Sequence, residues 1–349
     1  MRRSKAWRAW SDSSHTDHAL AWSAALRAFL EISVKVIHVV RQFWPCVGGL
    51  EEAVLNLCRA TRERGLEVEV VTLDRSFRAP DRTLPPFEVH DGITIRRIPF
   101  RGSRRYPVAP SVLGHLRGAD VVHVHAIDFF FDFLALTWGL HRRPMVASTH
   151  GGFFHTAFAQ TLKALYFGSV TRLAARRYDA ICASSEADAQ LFARITPGNL
   201  VTIENGVDIG KFRNMASDTY RRHLISFGRL APNKGLDRLF PLLRALRERQ
   251  PEWRLTVAGG EDGVTIDELR GKAARAGVAE AVRFVADPER PEESAAAIVA
   301  LDARVSGSLA EEKGRVRQAA QRYDWGDIAD RFVAQYRAVS AGSARTHAA

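Results

Sequence analysis

Residues 223–235, His-Leu-Ile-Ser-Phe-Gly-Arg-Leu-Ala-Pro-Asn-Lys-Gly, decide how this chain is read. They open as a short apolar run, the pattern of a buried strand. A turn cluster follows (Gly228, Pro232, Asn233, Gly235), and then the helical pattern of 236–248. Arg229 and Lys234 stand inside this strand-to-helix loop. Glycine lets the backbone approach a ligand, a helix N-terminus favours anions, and two cations add to the attraction. A loop of this kind suits a diphosphate held without a metal ion. A surface turn with solvated charges has the same local pattern, so the stretch alone leaves both readings open.

Working outward, 34–40 is a β-branched apolar run of the kind buried in a parallel sheet. The loop 41–49 follows it, and 50–64 reads as an amphipathic helix that stops at Gly65. Further strands are predicted at 67–73, 93–99, 119–125, 145–149, 180–184 and 200–203. Strands alternating with helices imply a doubly wound α/β sheet. After 223–235 the chain offers a helix at 236–248, a strand at 253–258, a helix at 265–276 and a strand at 281–285. From 288 to 340 only helical stretches remain. About seven strands therefore precede the central stretch, and only three belong to what it opens. Three parallel strands make a sheet too small to cover the helices that follow.

At 349 residues the chain is long enough for two cores. A hydrophobic content of 46% and a charged content of 26% fit a globular protein. The net charge of +11 suits phosphate-bearing ligands, nucleic acid or an anionic membrane surface, or reflects an Arg-rich composition alone. No helix-turn-helix, zinc-finger or RNA-binding signature supports nucleic acid. Cys46, Cys58 and Cys182 are scattered and odd in number, which points to a reducing compartment. The longest apolar stretch, 126–140, contains Asp128 and Asp132 and is too short to span a bilayer. Arg27 interrupts the only candidate signal core, 19–30. A cytoplasmic protein is expected, placed at the inner membrane face if the basic surface is used. Residues 1–33 carry Trp7, Trp10 and Trp22 without a strand pattern, and are expected to form a disordered extension.

Three further motifs sit where α/β sheets place ligands, at the C-terminal ends of strands. Gly48 and Gly49 leave room for a diphosphate to reach helix amides, or simply make a tight turn. His150 ends a strand before Gly151-Gly152 and can donate to a sugar hydroxyl, although a lone histidine is often structural. His123 and His125 share one strand face by period two, which raises a metal site. With no third ligand placed by the sequence, the metal is set aside. Arg96, Arg97, Arg101, Arg104, Arg105 and Arg117 crowd one region around Phe100 and Tyr106. They read as a surface for anionic lipid headgroups or as solvated loop charges.

Four segments together carry a family resemblance: 39–51 (VVRQFWPCVGGLE), 148–152 (STHGG), 204–208 (ENGVD) and 227–235 (FGRLAPNKG). In this order they resemble the family 4 retaining glycosyltransferases of the two-Rossmann GT-B fold, and most of all mannosyltransferases of xanthan-type exopolysaccharide assembly. The resemblance runs over about 34–286 and again over about 287–338. It implies an α/β protein with two Rossmann-like domains, the second shortened. It also implies a retaining, metal-independent transfer of a hexose from a nucleotide-diphosphate sugar to a lipid-linked glycan. GDP-mannose is the implied donor, with UDP-sugars second, and no cofactor or metal is implied.

By position, Gly48 and Gly49 would lie against the diphosphate or acceptor, and His150 would contact the transferred sugar. Asn205 and Gly228 would border the donor, and Arg229 and Lys234 would hold the diphosphate as it leaves. His150, Arg229 and Lys234 are thus the implied catalytic set. The implied domains are an acceptor-side domain at 34–208, a linker at 209–222 and a nucleotide-sugar domain at 223–310. Helices at 311–338 would pack back on the first domain, ahead of a tail at 339–349.

One departure stands out. The family carries two glutamates eight positions apart in its second domain, and no two glutamates of this chain have that spacing. The text passes from Phe284-Val285-Ala286 straight to Asp287-Pro288-Glu289, the start of the family's C-terminal helices. An internal deletion near 286–287 is implied, and Glu261 is a poor substitute for the missing pair. The resemblance therefore leaves an alternative, a catalytically impaired remnant that only binds an acceptor or a membrane.

Overall fold

The computed structural model describes residues 33–104, 106–151, 165–209, 222–286, 318 and 320–348. The expected extension before Ser33, nearly all of the expected linker and the stretch from 287 to 310 lie outside them. The chain divides into two compact units. The first takes the described residues of Met1–Gly152, Ala164–Asn205 and Ile328–Ala349, and the second those of Gly206–Asp327.

The first unit is built on an eight-stranded sheet. Its strands are β1 (Lys35–Val39), β2 (Glu67–Leu73), β3 (Phe87–His90), β4 (Ile93–Ile98), β7 (Val121–His125), β8 (Met145–Ser148), β9 (Ala180–Ala183) and β10 (Leu200–Thr202). They are ordered β10-β9-β8-β7-β1-β2-β4-β3. A separate hairpin pairs β5 (Arg101–Ser103) with β6 (Tyr106–Val108). Burial on both faces explains the continuous apolar strands: every residue of β7 and β8 is buried. Helix α1 (Gly49–Arg62) buries Val54, Leu57, Cys58 and Thr61, the i, i+3, i+4, i+7 stripe of an amphipathic helix. It ends before Gly65, whose φ of 84° suits a residue without a side chain.

The sheet is parallel except at β3, which runs antiparallel to β4. The sequence carries the reason in Asp91-Gly92, both at positive φ (51° and 71°), the two-residue turn that closes a tight hairpin. Reading 93–99 as a lone parallel strand overlooked this signal.

Helix α2 (Phe129–Leu136) follows β7, and α3 (Glu186–Phe192) follows β9. The last helix, α6 (Trp325–Ala348), puts Ile328, Phe332 and Tyr336 into the core of the first unit. Arg64 pairs with Asp330 at 2.5 Å, and Arg331 donates to the Thr202 carbonyl. The Tyr336 hydroxyl reaches His123 Nδ1 at 2.7 Å.

In the second unit, β11 (His223–Phe227), β12 (Arg254–Gly259) and β13 (Val282–Ala286) form a parallel three-stranded sheet. Between them lie α4 (Leu239–Arg249) and α5 (Ile266–Arg275). The segment 236–248, expected to be one helix, begins instead as a 3-10 turn over Leu236–Arg238. Gly235, at φ 61°, stands in front of it and supplies no side-chain cap. Helix α5 starts on a reciprocal cap, with Thr265 accepting from the Glu268 amide and Glu268 from the Thr265 amide. Leu236, Phe240, Leu243, Leu255, Val257 and Leu269 fill the core of this unit.

The loops after β11 and β12 run against each other. Gly228 N–H donates to the Ala258 carbonyl at 3.0 Å, and Leu230 N–H to the Gly260 carbonyl at 2.8 Å. A Cβ on Gly259 (φ 149°) would overlap the Gly228 carbonyl oxygen. Backbone in that region costs roughly 1–3 kcal/mol for a residue with a side chain, before any clash. Gly259→Ala is therefore expected to destabilise the second unit by about 2 kcal/mol or more, measured by urea unfolding. Wild-type stability in that variant would mean that the two loops do not approach so closely.

Candidate functional site

The sheet register gathers a group of polar residues in the first unit. His38 on β1 lies opposite His123 on β7, and His125 lies opposite Ser148 on β8. Side chains two apart share a face, so His38, His123, His125 and Ser148 come together. His150, two residues beyond Ser148, joins the end of the row. His38 Nδ1 and His125 Nε2 are 2.9 Å apart, as are His125 Nδ1 and His150 Nε2. His123 Nε2 meets Ser148 Oγ at 2.8 Å. His38, His123 and His125 are fully buried.

Burial lowers His38 to about 3 and His150 to about 4, with Asn205 beside His150 pulling the other way. His123 and His125 are driven well below the ordinary value, first by burial and then by their histidine neighbours. The whole row is neutral near pH 7.

The backbone of His150 is itself constrained, with φ 49° in the left-handed region. Such a conformation costs roughly 1–2 kcal/mol for a residue with a side chain, and hydrogen bonds hold it. His150 N–H donates to Ser184 Oγ at 2.9 Å, and Ser184 N–H donates to Thr149 Oγ1 at 3.1 Å. Thr149 Oγ1 in turn donates to Asp188 Oδ2 at 2.6 Å. Ala126, just past β7, has φ 73°. Two adjacent strands thus end in left-handed non-glycine residues, a pattern that concentrates at functional sites.

Gly48 caps α1 without a side chain, and a Cβ there would meet the Glu51 carboxylate. A Cβ on Gly49 would meet nothing within 4 Å, so the space there is free. The sequence reading missed Asp128, which is buried at the start of α2 and accepts from Phe130 N–H at 3.0 Å. Burial raises it to about 6 against the pull of Arg41. It also missed His38 and Tyr336, because strand register and helix docking are not written in local pattern.

The expected site residues fall on both units: Gly48, Gly49, His150 and Asn205 on the first, Gly228, Arg229 and Lys234 on the second. Gly228 has φ 120°, and the ladder beyond it fixes the loop through Leu230, which bridges Glu261. Arg229 is exposed and ion-paired with Asp262. Lys234 is exposed at the end of a 3-10 turn, Pro232–Lys234. Glu261 accepts from Ile266 N–H at 2.7 Å and so caps α5.

Two expectations need correction. A third histidine, His38, does stand beside His123 and His125, with ligand atoms within 4.8 Å of one another. The ground on which a metal was set aside therefore fails. What the structure offers instead is a use for those nitrogens: both of His123's and both of His125's are already hydrogen-bonded. The arginine cluster is also not one surface. Arg97 is buried and bonds Glu88 and the Trp44 carbonyl, and Arg96 pairs with Glu69. Arg101, Arg104 and Arg117 are exposed, and Arg105 lies outside the described residues.

Two family models match the chain, Glycosyltransferase Family 4 over residues 47–211 and Glycosyl transferases group 1 over residues 211–318. GDP-mannose:cellobiosyl-diphosphopolyprenol alpha-mannosyltransferases of Komagataeibacter xylinus and Xanthomonas campestris are each 48% identical to it, over 261 and 259 residues. The matches cover 74% of this chain and 66% and 68% of those relatives. The chain belongs to the family 4 glycosyltransferases.

Solved structures agree on the fold of this glycosyltransferase. An α,α-trehalose 6-phosphate synthase from Burkholderia multivorans matches with a TM-score of 0.60 at 13% identity, covering 91% of this chain and 99% of that one. A glycosyltransferase from Rickettsia africae matches with 0.56 at 11%, covering 88% and 99%. Among the described residues, no helix is long and apolar enough to cross a membrane.

The neutral histidine row has a consequence for stability. Below about pH 6.5 the unfolded chain protonates these imidazoles while the folded chain does not. Acid therefore favours unfolding, by up to about 1.4 kcal/mol per pH unit for each residue. Asp128 opposes this below its raised value of about 6, as do Asp132 and Asp179, which burial also raises. The larger histidine shifts should prevail, so the melting temperature is expected to fall from pH 7 to pH 5. A flat or rising profile would show that the imidazoles are solvated.

Proposed function

We infer that this chain transfers mannose from GDP-mannose to a lipid-linked glycan in exopolysaccharide assembly, with retention at the sugar carbon. The observation that carries this reading is the 48% identity to the two GDP-mannose:cellobiosyl-diphosphopolyprenol alpha-mannosyltransferases. The reaction takes place in the cytoplasm at the inner face of the membrane, where a lipid-linked acceptor is presented. The exposed Arg101, Arg104 and Arg117 suit an anionic headgroup layer there.

In this reading Arg229 and Lys234 meet the diphosphate. Arg229's exposed pair with Asp262 contributes at most about 1 kcal/mol. A guanidinium has five donors, so it can keep Asp262 on one edge and take phosphate oxygens on another. Charge-assisted hydrogen bonds to phosphate contribute about 1.5–3 kcal/mol each. They speed transfer to the extent that they strengthen as charge builds on the leaving oxygen. Gly228 and Gly49, where an added Cβ would meet nothing within 4 Å, leave room for the diphosphate or the acceptor, and Gly48 stands beside them with Glu51 filling the space a side chain would take. His150 meets the transferred sugar, with Asn205 beside it.

A second reading, an acceptor-binding remnant, has its own support. The chain lacks the glutamate pair of its family, and among the described residues the second sheet has only three strands.

Incubation of the purified chain with radiolabelled GDP-mannose and cellobiosyl-diphosphopolyprenol separates the two. Label in the lipid fraction is the expected result. No transfer, together with no GDP binding, would favour the remnant. Arg229→Ala and Lys234→Ala should each weaken GDP binding by roughly 10- to 100-fold. Unchanged affinity in both would make the loop an ordinary turn.

A further inference from the structure

We propose that the first unit docks on an anionic lipid surface through residues 129–142 and 165–177, whose exposed leucines enter the layer while exposed arginines hold its phosphates. Such a face gives a lipid-linked acceptor a place to arrive. It bears on the transferase reading without resting on it, since the surface alone carries it.

The first observation is where the exposed leucines fall. Leu136, Leu140, Leu165 and Leu173 are 65%, 77%, 68% and 57% exposed, four of the five exposed leucines among the described residues. A single exposed leucine is ordinary, but a group of them marks an interaction surface. Leu136 and Leu140 stand four apart, across the end of α2 and the helical turn Trp138–His141. Leu173 and Arg177 have the same spacing, across the helical run Arg172–Ala175 and the residues after it. Residues four apart share one side of a helix.

Side chains join the two segments. The Arg177 guanidinium lies over the Trp138 ring, 5.7 Å from its centre. Beneath them the Tyr178 ring stacks on Phe131 at 4.4 Å, and its hydroxyl donates to the Phe131 carbonyl at 2.9 Å. Next to Leu165, the Tyr166 hydroxyl donates to Asp132 Oδ2 at 2.5 Å. Both ends of the second segment are thus held against α2.

Charge says what covers this face. Residues 129–178 contain six Lys or Arg and a single acid, Asp132, although the chain has 39 acidic residues. Asp132 is buried against Tyr166, and the next acid, Asp179, accepts from Met145 N–H at 2.8 Å. Arg142, Arg172, Arg176 and Arg177 are exposed. Among the described residues none of these four is ion-paired, whereas Arg59, Arg64 and Arg96 hold Asp91, Asp330 and Glu69. A second copy of the same face would set arginine against arginine. A polyanion in water would use the arginines and leave the leucines wet. Phosphate headgroups over hydrocarbon meet both needs at once. Arginine grips phosphate with two donors, and an aromatic ring such as Trp138 suits headgroup depth.

The test is co-sedimentation of the full-length chain with vesicles, without sugar nucleotide. One set holds equal parts phosphatidylglycerol and phosphatidylcholine, the other phosphatidylcholine alone. The chain is expected to bind the first, to leave the second, and to bind less as salt rises. Arg172→Gln with Arg176→Gln should weaken binding by roughly 10- to 30-fold at low salt, about fivefold for each arginine. Leu140→Ser with Leu173→Ser should weaken it by about tenfold or more. These side chains are exposed, so the melting temperature should not change in either variant.

Wild-type affinity in both variants would overturn the proposal, as would no binding by the wild-type chain. So would a loss confined to Arg101→Gln with Arg104→Gln, which would move the contact to the hairpin. A dimer in sedimentation that the leucine variant dissolves would make the face a contact between copies instead. Because binding is read without donor, a chain that transfers no sugar still tests the face. Transfer to an acceptor in detergent, without vesicle binding, would remove the face and leave the transferase reading standing.

Discussion

A row of uncharged imidazoles inside a parallel sheet constrains much of the first unit. His38, His123, His125 and His150 lie together because β1, β7 and β8 pair in register. Once together, they must stay neutral and hydrogen-bonded, since an unpaired or charged group at that depth costs several kcal/mol. The surrounding structure meets most of this requirement, leaving only His38 Nε2 and His150 Nδ1 of the row without a partner among the described residues. Ser148 closes the row from β8, Tyr336 closes it from the last helix, and His150 carries it out to the sheet edge. The last helix is thereby tied to the centre of the sheet, and the strained backbone of His150 is held by Ser184, Thr149 and Asp188. Packing, polarity and the presentation of His150 are one problem with one solution.

The second unit works by different means. Its loop is shaped by backbone pairing between two glycine-containing turns, not by a buried polar row. The cations on that loop are exposed, and Arg229 is held only by a weak surface pair. A small sheet can supply such a loop because the geometry needs just β11, β12 and the turns that follow them. That geometry calls on no further strand. Glu261, which bridges Leu230 in the same ladder, has its carboxylate engaged at the start of α5.

Much of the fold was legible. The apolar β-branched runs placed β1, β2, β7, β8 and β9 within one or two residues, because strands buried on both faces leave a continuous hydrophobic signature, and the half-buried edge strand β10 was placed as closely. The helix expected at 265–276 matches α5, whose start is fixed by the reciprocal cap of Thr265 and Glu268. The hairpin at Asp91-Gly92 was equally legible and was passed over. The candidate site residues proposed from local chemistry, Gly48, Gly49, His150, Gly228, Arg229 and Lys234, all sit in strand-to-helix or strand-end loops, as their patterns suggested. His38 could not be joined to His125 from sequence, because 87 residues separate them and only register connects them. Tyr336 and Asp128 were hidden for the same reason: helix docking and depth of burial are tertiary facts. Arg97 misled in the opposite direction, since charge in the sequence says nothing about which arginine is buried.

The central claim is that the shortened second unit still holds a guanosine diphosphate. The most direct test is thermal unfolding with excess GDP, with excess UDP and without nucleotide. A ligand at about 100 times its dissociation constant stabilises the fold by roughly 2.7 kcal/mol. The expected result is a clear rise in melting temperature with GDP, a smaller one with UDP, and no rise with GDP in Arg229→Ala. A chain that melts cooperatively at one temperature in all three conditions would contradict the claim.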